Sequence, residues 1–111
     1  MSNWNIELNK YVVNYILEQD IISQAEINQS LKLLSEFGIT LTMPYVKPLG
    51  NKLYELRVKT KDKNHRLLYF SYIDKKFIFT NAFTKKTQKT PKNEIEISLK
   101  RMKIYRGENE K

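Results

Sequence analysis

Leu53-Tyr54-Glu55-Leu56-Arg57-Val58-Lys59, Arg66-Leu67-Leu68-Tyr69-Phe70-Ser71-Tyr72-Ile73 and Lys76-Phe77-Ile78-Phe79-Thr80-Asn81-Ala82 follow one another closely, and this succession decides the fold. The first stretch alternates Tyr54, Leu56 and Val58 against Glu55, Arg57 and Lys59, the two-residue period of a half-buried strand. The second is rich in aliphatic and aromatic residues, and the third alternates Phe77 and Phe79 with Ile78 and Thr80. Their connectors, Lys61-Asp62-Lys63-Asn64 and Asp74-Lys75, are short and polar, as antiparallel hairpins require. Arg57 and Arg66 then fall on neighbouring strands, with Arg57 on the face opposite Tyr54, Leu56 and Val58.

The flanks supply the other layer. Trp4–Leu8 alternates like a first strand, and Lys10–Glu18 gathers Tyr11, Val12, Tyr15 and Ile16 on one helical stripe. Ser23-Gln24-Ala25-Glu26 has the spacing of a capping box, in which serine and glutamate each satisfy an unpaired backbone donor. Behind it Ile27, Leu31, Leu34 and Phe37 recur at helical spacing, and Gly38 suits the residue past the helix end. Residues 39–52, punctuated by Pro44, Pro48 and Gly50, read as a connection. Pro91 suits the first position of a last helix capped by Thr90, with Ile95, Leu99 and Met102 facing the core and fraying expected over Arg106–Lys111. The expected order is β-α-α-β-β-β-α, an α+β fold in which helices pack on an antiparallel sheet. The 111 residues suffice for one domain, 1–111, and not for two.

Charge is distributed unevenly. Residues 1–43 hold two Lys/Arg against five Asp/Glu, residues 44–92 thirteen against three, and residues 93–111 five against four. A segment of net +10 beside one of net −3 is the footprint of a surface that meets a polyanion. No strongly amphipathic basic helix accompanies the charge, so nucleic acid is expected rather than a membrane. The chain has no cysteine and one histidine, His65, which excludes thiolate sites and leaves little for metal ligation. His65 itself is expected at a hairpin edge. Met1-Ser2-Asn3-Trp4-Asn5 lacks the basic start and apolar run of a signal peptide, and a soluble cytoplasmic protein is expected.

The densest positive element is Phe83-Thr84-Lys85-Lys86-Thr87-Gln88-Lys89-Thr90-Pro91, with three lysines, an amide and three hydroxyls and no acid among them. Arginine in a strand is often only an exposed edge charge. Arg57 and Arg66 together with Lys85, Lys86 and Lys89 make a different object. The guanidinium fork grips phosphate bidentately and lysine adds a mobile point charge. Lys59 and Lys92 extend the cluster, and Phe83 and Tyr69 are candidates to stack a splayed base.

Leu53–Arg57, Arg66–Phe70 and Phe83–Pro91, preceded by Pro44-Tyr45-Val46-Lys47-Pro48-Leu49, resemble in order and spacing the motifs of the phage-derived, HigB-like branch of the RelE toxin superfamily. The similarity runs from about Trp4 to Arg101. It implies a compact RelE-like fold and the toxin of a type II toxin–antitoxin pair, an endoribonuclease that cuts mRNA in the ribosomal A site. It also implies an antitoxin partner, commonly with a helix-turn-helix domain, and no cofactor. Arg57, Arg66, Lys85 and Lys86 fall on the family's basic motif positions, as the catalytic set. Many relatives carry histidine or glycine where this chain has Asn81 and Ala82. The chemistry expected is metal-independent attack of a ribose 2′-hydroxyl on the adjacent phosphate, with Lys85 or Lys86 moving the proton. The competing expectation is a non-catalytic RNA- or DNA-binding module of the same fold. A protein whose basic face serves solubility alone would show no salt-dependent RNA binding.

Overall fold

The computed structural model describes residues 3–109. Strand β1 (Asn5–Leu8) leads into helices α1 (Lys10–Leu17) and α2 (Ile21–Phe37), and a short turn of 3-10 helix covers Gly38–Thr40. Strands β2 (Val46–Gly50), β3 (Leu53–Lys59), β4 (Asn64–Tyr72) and β5 (Lys76–Thr84) follow, and helix α3 (Lys92–Asn109) closes the fold. The expected α+β architecture is present, with one strand more: the order is β-α-α-β-β-β-β-α. Met1 and Ser2, which carry part of the signal-peptide reading, lie outside the described residues, as do Glu110 and Lys111 of the expected fray; helix α3 persists through Arg106 to Asn109.

The sheet runs β1-β5-β4-β3-β2. Its four later strands are antiparallel, whereas β1 pairs parallel to β5 at the edge, a departure from the wholly antiparallel sheet expected. Strand β2 occupies part of the stretch read as a connection. Pro48 argues against a central strand but is compatible with an edge, and β2 is the other edge, with a register shift between Pro48 and Gly50. The two tight hairpins use left-handed pairs, Asn51 and Lys52 (φ 53 and 67°) and Asp74 and Lys75 (φ 61 and 54°), the geometry that follows the twist of paired strands.

Local chemistry sets the helix ends. The Asn9 side chain accepts from the Val12 N–H at 2.9 Å and caps α1. Helix α2 is capped by Asp20, which accepts from the Ser23 N–H at 2.7 Å; Ser23 therefore lies inside the first turn and is not the cap. Gly38 ends α2 at φ 58°, and a Cβ there would come within 2.3 Å of the Trp4 indole. Trp4 in turn stacks on Phe77 with ring centroids 4.2 Å apart. Pro91 O accepts from the Glu94 N–H at 3.1 Å to open α3, while the Thr90 hydroxyl is engaged elsewhere, so the expected Thr90 cap is replaced.

The two sheet faces are covered differently. Helices α1 and α2 lie on one, where Val12, Ile27 and Leu34 pack with Leu56, Leu67 and Phe79. Helix α3 lies on the other, where Ile95 and Leu99 meet Leu53, Leu68 and Phe83, and Met102 meets Phe70 and Ile78. Hydrogen bonds from Asn81 to Glu94 and from Thr80 to Ser98 mark where α3 starts down this face.

Candidate functional site

The register of the sheet builds the site. Arg57 is the direct cross-strand partner of Arg66, and Arg66 is the partner of Phe83. Directly opposed residues share a face, so these side chains lie together on the α3 side, with Glu55 two residues before Arg57 and Lys47 opposite Glu55 on β2. The three motifs singled out in the sequence thus converge on one end of one face.

Beneath them is a carboxylate that sequence reasoning did not single out. Glu55 is completely buried. Its Oε1 lies 3.5 Å from Arg66 Nε and 3.7 Å from Arg57 Nε, and its Oε2 accepts from the Thr90 hydroxyl. The Oε1–Arg66 Nε approach is a Coulomb contact, since neither atom makes a hydrogen bond. Glu55 spaces the two guanidiniums and offsets their repulsion. A signal for it was present: Glu55, Asp62 and Asp74 are the acids of residues 44–92, and Glu55 is the one inside a strand.

The arginines differ in accessibility. The Arg57 side chain is 27% exposed and that of Arg66 8%. Arg66 also donates through Nη1 to the carbonyl of His65 at 3.0 Å, which orients its fork. Burial pulls the Arg66 guanidinium below its ordinary range, Glu55 opposes that shift and Arg57 adds to it.

Strand β5 extends two residues past Ala82, and that extension distinguishes the two lysines. Lys85, anchored by its N–H to Asn64 O at 2.7 Å, is 8% exposed, whereas Lys86 is exposed. Burial lowers the Lys85 pKa; Glu55 works against this, and Arg66, Arg57 and Lys47 reinforce it. Lys85 thus lies where the charges of both arginines reach it. Lys59, Lys89 and Lys92 are exposed around the site. Phe83 is 7% exposed and packs with Leu53 and Leu68 under the cationic group. Tyr69 stands apart: it lies on the α1/α2 face, 3% exposed among Phe77 and Phe79, and burial raises its phenol. The structure places that ring in the core and away from the arginines.

His65 is likewise on the other face, completely buried where a hairpin-edge position was expected. Its Nδ1 lies 2.7 Å from the Tyr15 hydroxyl and its Nε2 3.0 Å from Ser23 Oγ, and Tyr15 also reaches Thr84 Oγ1 at 2.7 Å. Burial is the main cause holding its pKa below the ordinary value, followed by Lys63, with Asp20 opposing and Arg66 adding. Asn81 donates to the Glu94 carboxylate at 2.9 Å and ties β5 to α3.

The family described as Phage derived protein Gp49-like (DUF891) matches residues 14–103, a span that contains every side chain of this site. The chain belongs to this family. It is a RelE/HigB-type toxin family, as the motifs implied. Two curated relatives of the chain are proteins named "Probable endoribonuclease HigB1", from Mycobacterium tuberculosis strains CDC 1551 / Oshkosh and ATCC 25618 / H37Rv. Each is 38% identical over 61 residues, 55% of this chain and 48% of the relative. The match therefore spans about half the length of these relatives. No helix among the described residues is long and apolar enough to cross a membrane.

Proposed function

We propose that this Gp49-like protein is the toxin of a type II toxin–antitoxin pair and an endoribonuclease that cuts mRNA on the ribosome. The observation that carries the reading is the Arg57–Arg66 cross-strand pair on one face, with Phe83 opposite Arg66 and the nearly buried Lys85 two residues beyond it. A phosphodiester placed there meets the partly exposed Arg57 fork, with the nearly buried Arg66 adding its charge behind it and one lysine for proton transfer.

The ribose 2′-oxygen attacks the adjacent phosphorus and the bond to the 5′-oxygen breaks, leaving a 2′,3′-cyclic phosphate and a 5′-hydroxyl end. The 2′-hydroxyl proton goes to solvent, and Lys85 protonates the departing 5′-oxygen. Arg57 and Arg66 offset the charge that builds on the phosphorane, a type of contribution worth about a hundredfold to a thousandfold in rate per donor removed. The lowered Lys85 pKa brings its proton transfer nearer to neutrality, where a general acid works best. Lys86 adds positive charge beside it, and the exposed Lys59, Lys89 and Lys92 hold flanking phosphates. Phe83 supports the cationic layer from below, and the ribosome supplies the alignment of mRNA. The partner in the resting cell is a cognate antitoxin, of the helix-turn-helix type that the family motifs imply, in the cytoplasm.

Primer extension on a defined mRNA in a bacterial translation extract, with and without ribosomes, tests this reading. Cuts that require ribosomes and disappear with Lys85→Ala support it. The near-complete burial of Arg66 favours a second reading, a module that binds RNA through its exposed lysines without cutting it. In that case Lys86→Ala weakens binding and wild-type protein never cuts.

A further inference from the structure

The loop that carries the lysines is held at both ends, and the bond at its far end has a consequence beyond stability. At its start the Lys85 N–H donates to Asn64 O at 2.7 Å, at the beginning of β4. Within it, the Thr87 hydroxyl donates to Lys89 O at 2.8 Å and closes a tight turn. At its end the Thr90 hydroxyl donates to Glu55 Oε2 on β3. The sheet order is β5-β4-β3, so a chain that leaves β5 and is fastened to β3 must cross β4. With neighbouring strands about 4.8 Å apart, the crossing covers about 10 Å and passes the part of β4 that carries Arg66. The low exposure of Arg66 and Lys85, 6% and 8%, agrees with that path.

We propose that Thr90 is a positioning residue: its hydroxyl, donating to Glu55, latches the lysine loop across β4 and fixes Lys85 against the Arg57–Arg66 pair. The inference rests on the reading of this face as the RNA-cleaving one and adds to it the group that holds the proton-transfer lysine in register with the phosphate-binding arginines. Glu55 then has two functions at once. Through Oε1 it spaces the guanidiniums, and through Oε2 it fastens the loop, so the arginine pair and the lysine loop share a single buried anchor. Valine in place of Thr90 keeps the branched shape but has no proton to donate, whereas serine keeps the hydroxyl. The latch is therefore a property of one O–H group.

Two measurements decide it on the full chain. The first is amide hydrogen exchange in the free protein. Thr90→Val is expected to speed exchange of the Lys85, Glu94 and Ile95 amides, hydrogen-bonded at the two ends of the loop, about tenfold or more, with the central β3 and β4 amides unchanged, as local opening without global unfolding. Thr90→Ser is expected to keep wild-type protection. Glu55→Gln retains an acceptor for the hydroxyl while losing the charge, so loop protection should persist if the hydrogen bond holds the loop. The second measurement is ribosome-dependent cleavage, where Thr90→Val should lower kcat about tenfold with KM for mRNA within twofold, and Thr90→Ser should restore it. Wild-type loop protection in Thr90→Val, or a Thr90→Ser variant as loose as Thr90→Val, overturns the latch. Should Thr90→Val fail to fold, loosening of the loop in Thr90→Ser or Glu55→Gln overturns it and retained protection in both supports it. A wild-type protein that does not cut RNA overturns the proposed function, while the exchange measurements still decide the latch.

Discussion

His65 and Arg66 are neighbours in sequence and point to opposite faces of the same strand, and the polar clusters built around them differ in kind. Around His65 the groups are neutral: both ring nitrogens meet a hydroxyl, from Tyr15 and Ser23, at 2.7 and 3.0 Å. Around Arg66 the groups are charged, and the acid–guanidinium approaches are 3.5 and 3.7 Å, too long for hydrogen bonds. The first cluster joins α1, α2, β4 and β5 and leaves no polar atom of the imidazole unpaired, which is how a buried polar group holds a fold together. The second concentrates positive charge around a single carboxylate and keeps part of the guanidinium hydrogen-bonding capacity free. Such an arrangement makes poor use of buried charge for stability and good use of it for binding an anion.

Substitutions on the two faces should separate these roles. The largest effect is expected at Lys85: Lys85→Ala should lower the cleavage rate about a hundredfold to ten-thousandfold while ribosome affinity changes only a few-fold, measured by single-turnover cleavage and sedimentation binding. Glu55→Ala comes next. It leaves Arg66 without its buried counter-charge and should cost about 3–5 kcal/mol in urea unfolding. On the opposite face, His65→Ala removes a buried ring and leaves the Tyr15 and Ser23 hydroxyls short of a partner. A stability loss of about 2–4 kcal/mol is expected, with cleavage per folded molecule within a few-fold of wild type.

The smallest effect is a pH dependence. The His65 pKa is lowered in the folded state, so as pH falls the unfolded chain takes up its proton first, at about 6.5. Its contribution to stability is complete above that pH and is lost as pH falls from there through the folded value, with a slope of at most about 1.4 kcal/mol per pH unit. Urea unfolding between pH 8 and 5 should show this slope in the wild type and lose it in His65→Ala.

The two clusters also differ in how legible they were in the sequence. The arginine pair could be read because alternation sets the face and short connectors set the register, so Arg57 and Arg66 met as the pattern required. The helix stripes were readable for the same periodic reason, and Ile95, Leu99 and Met102 do face the sheet, whereas Tyr11 and Phe37 of the two earlier stripes are 47% and 54% exposed. Choosing Lys85 over Lys86 needed the true end of β5, which lies at Thr84 rather than Ala82. A one-residue shift there turns a buried lysine into an exposed one. Tyr69 lies next in sequence to Leu68 and Phe70, yet its face belongs to α1 and α2, which removed it from the site. The His65 cluster was illegible because its partners lie 50 and 42 residues away, where no local pattern connects them. The capping-box spacing at Ser23 even pointed to a different use for that hydroxyl. Strand β2 was hidden by Pro48, a residue that argues against a strand everywhere except at an edge.

Primer extension with the Arg57→Ala, Arg66→Ala double variant beside wild type on translating ribosomes tests whether the proposed RNA-cleaving face is that of Arg66. Ribosome-dependent cuts are expected with wild-type protein and none with the double variant, both proteins being folded by circular dichroism. Cuts by the double variant at the same positions and rate would contradict that assignment.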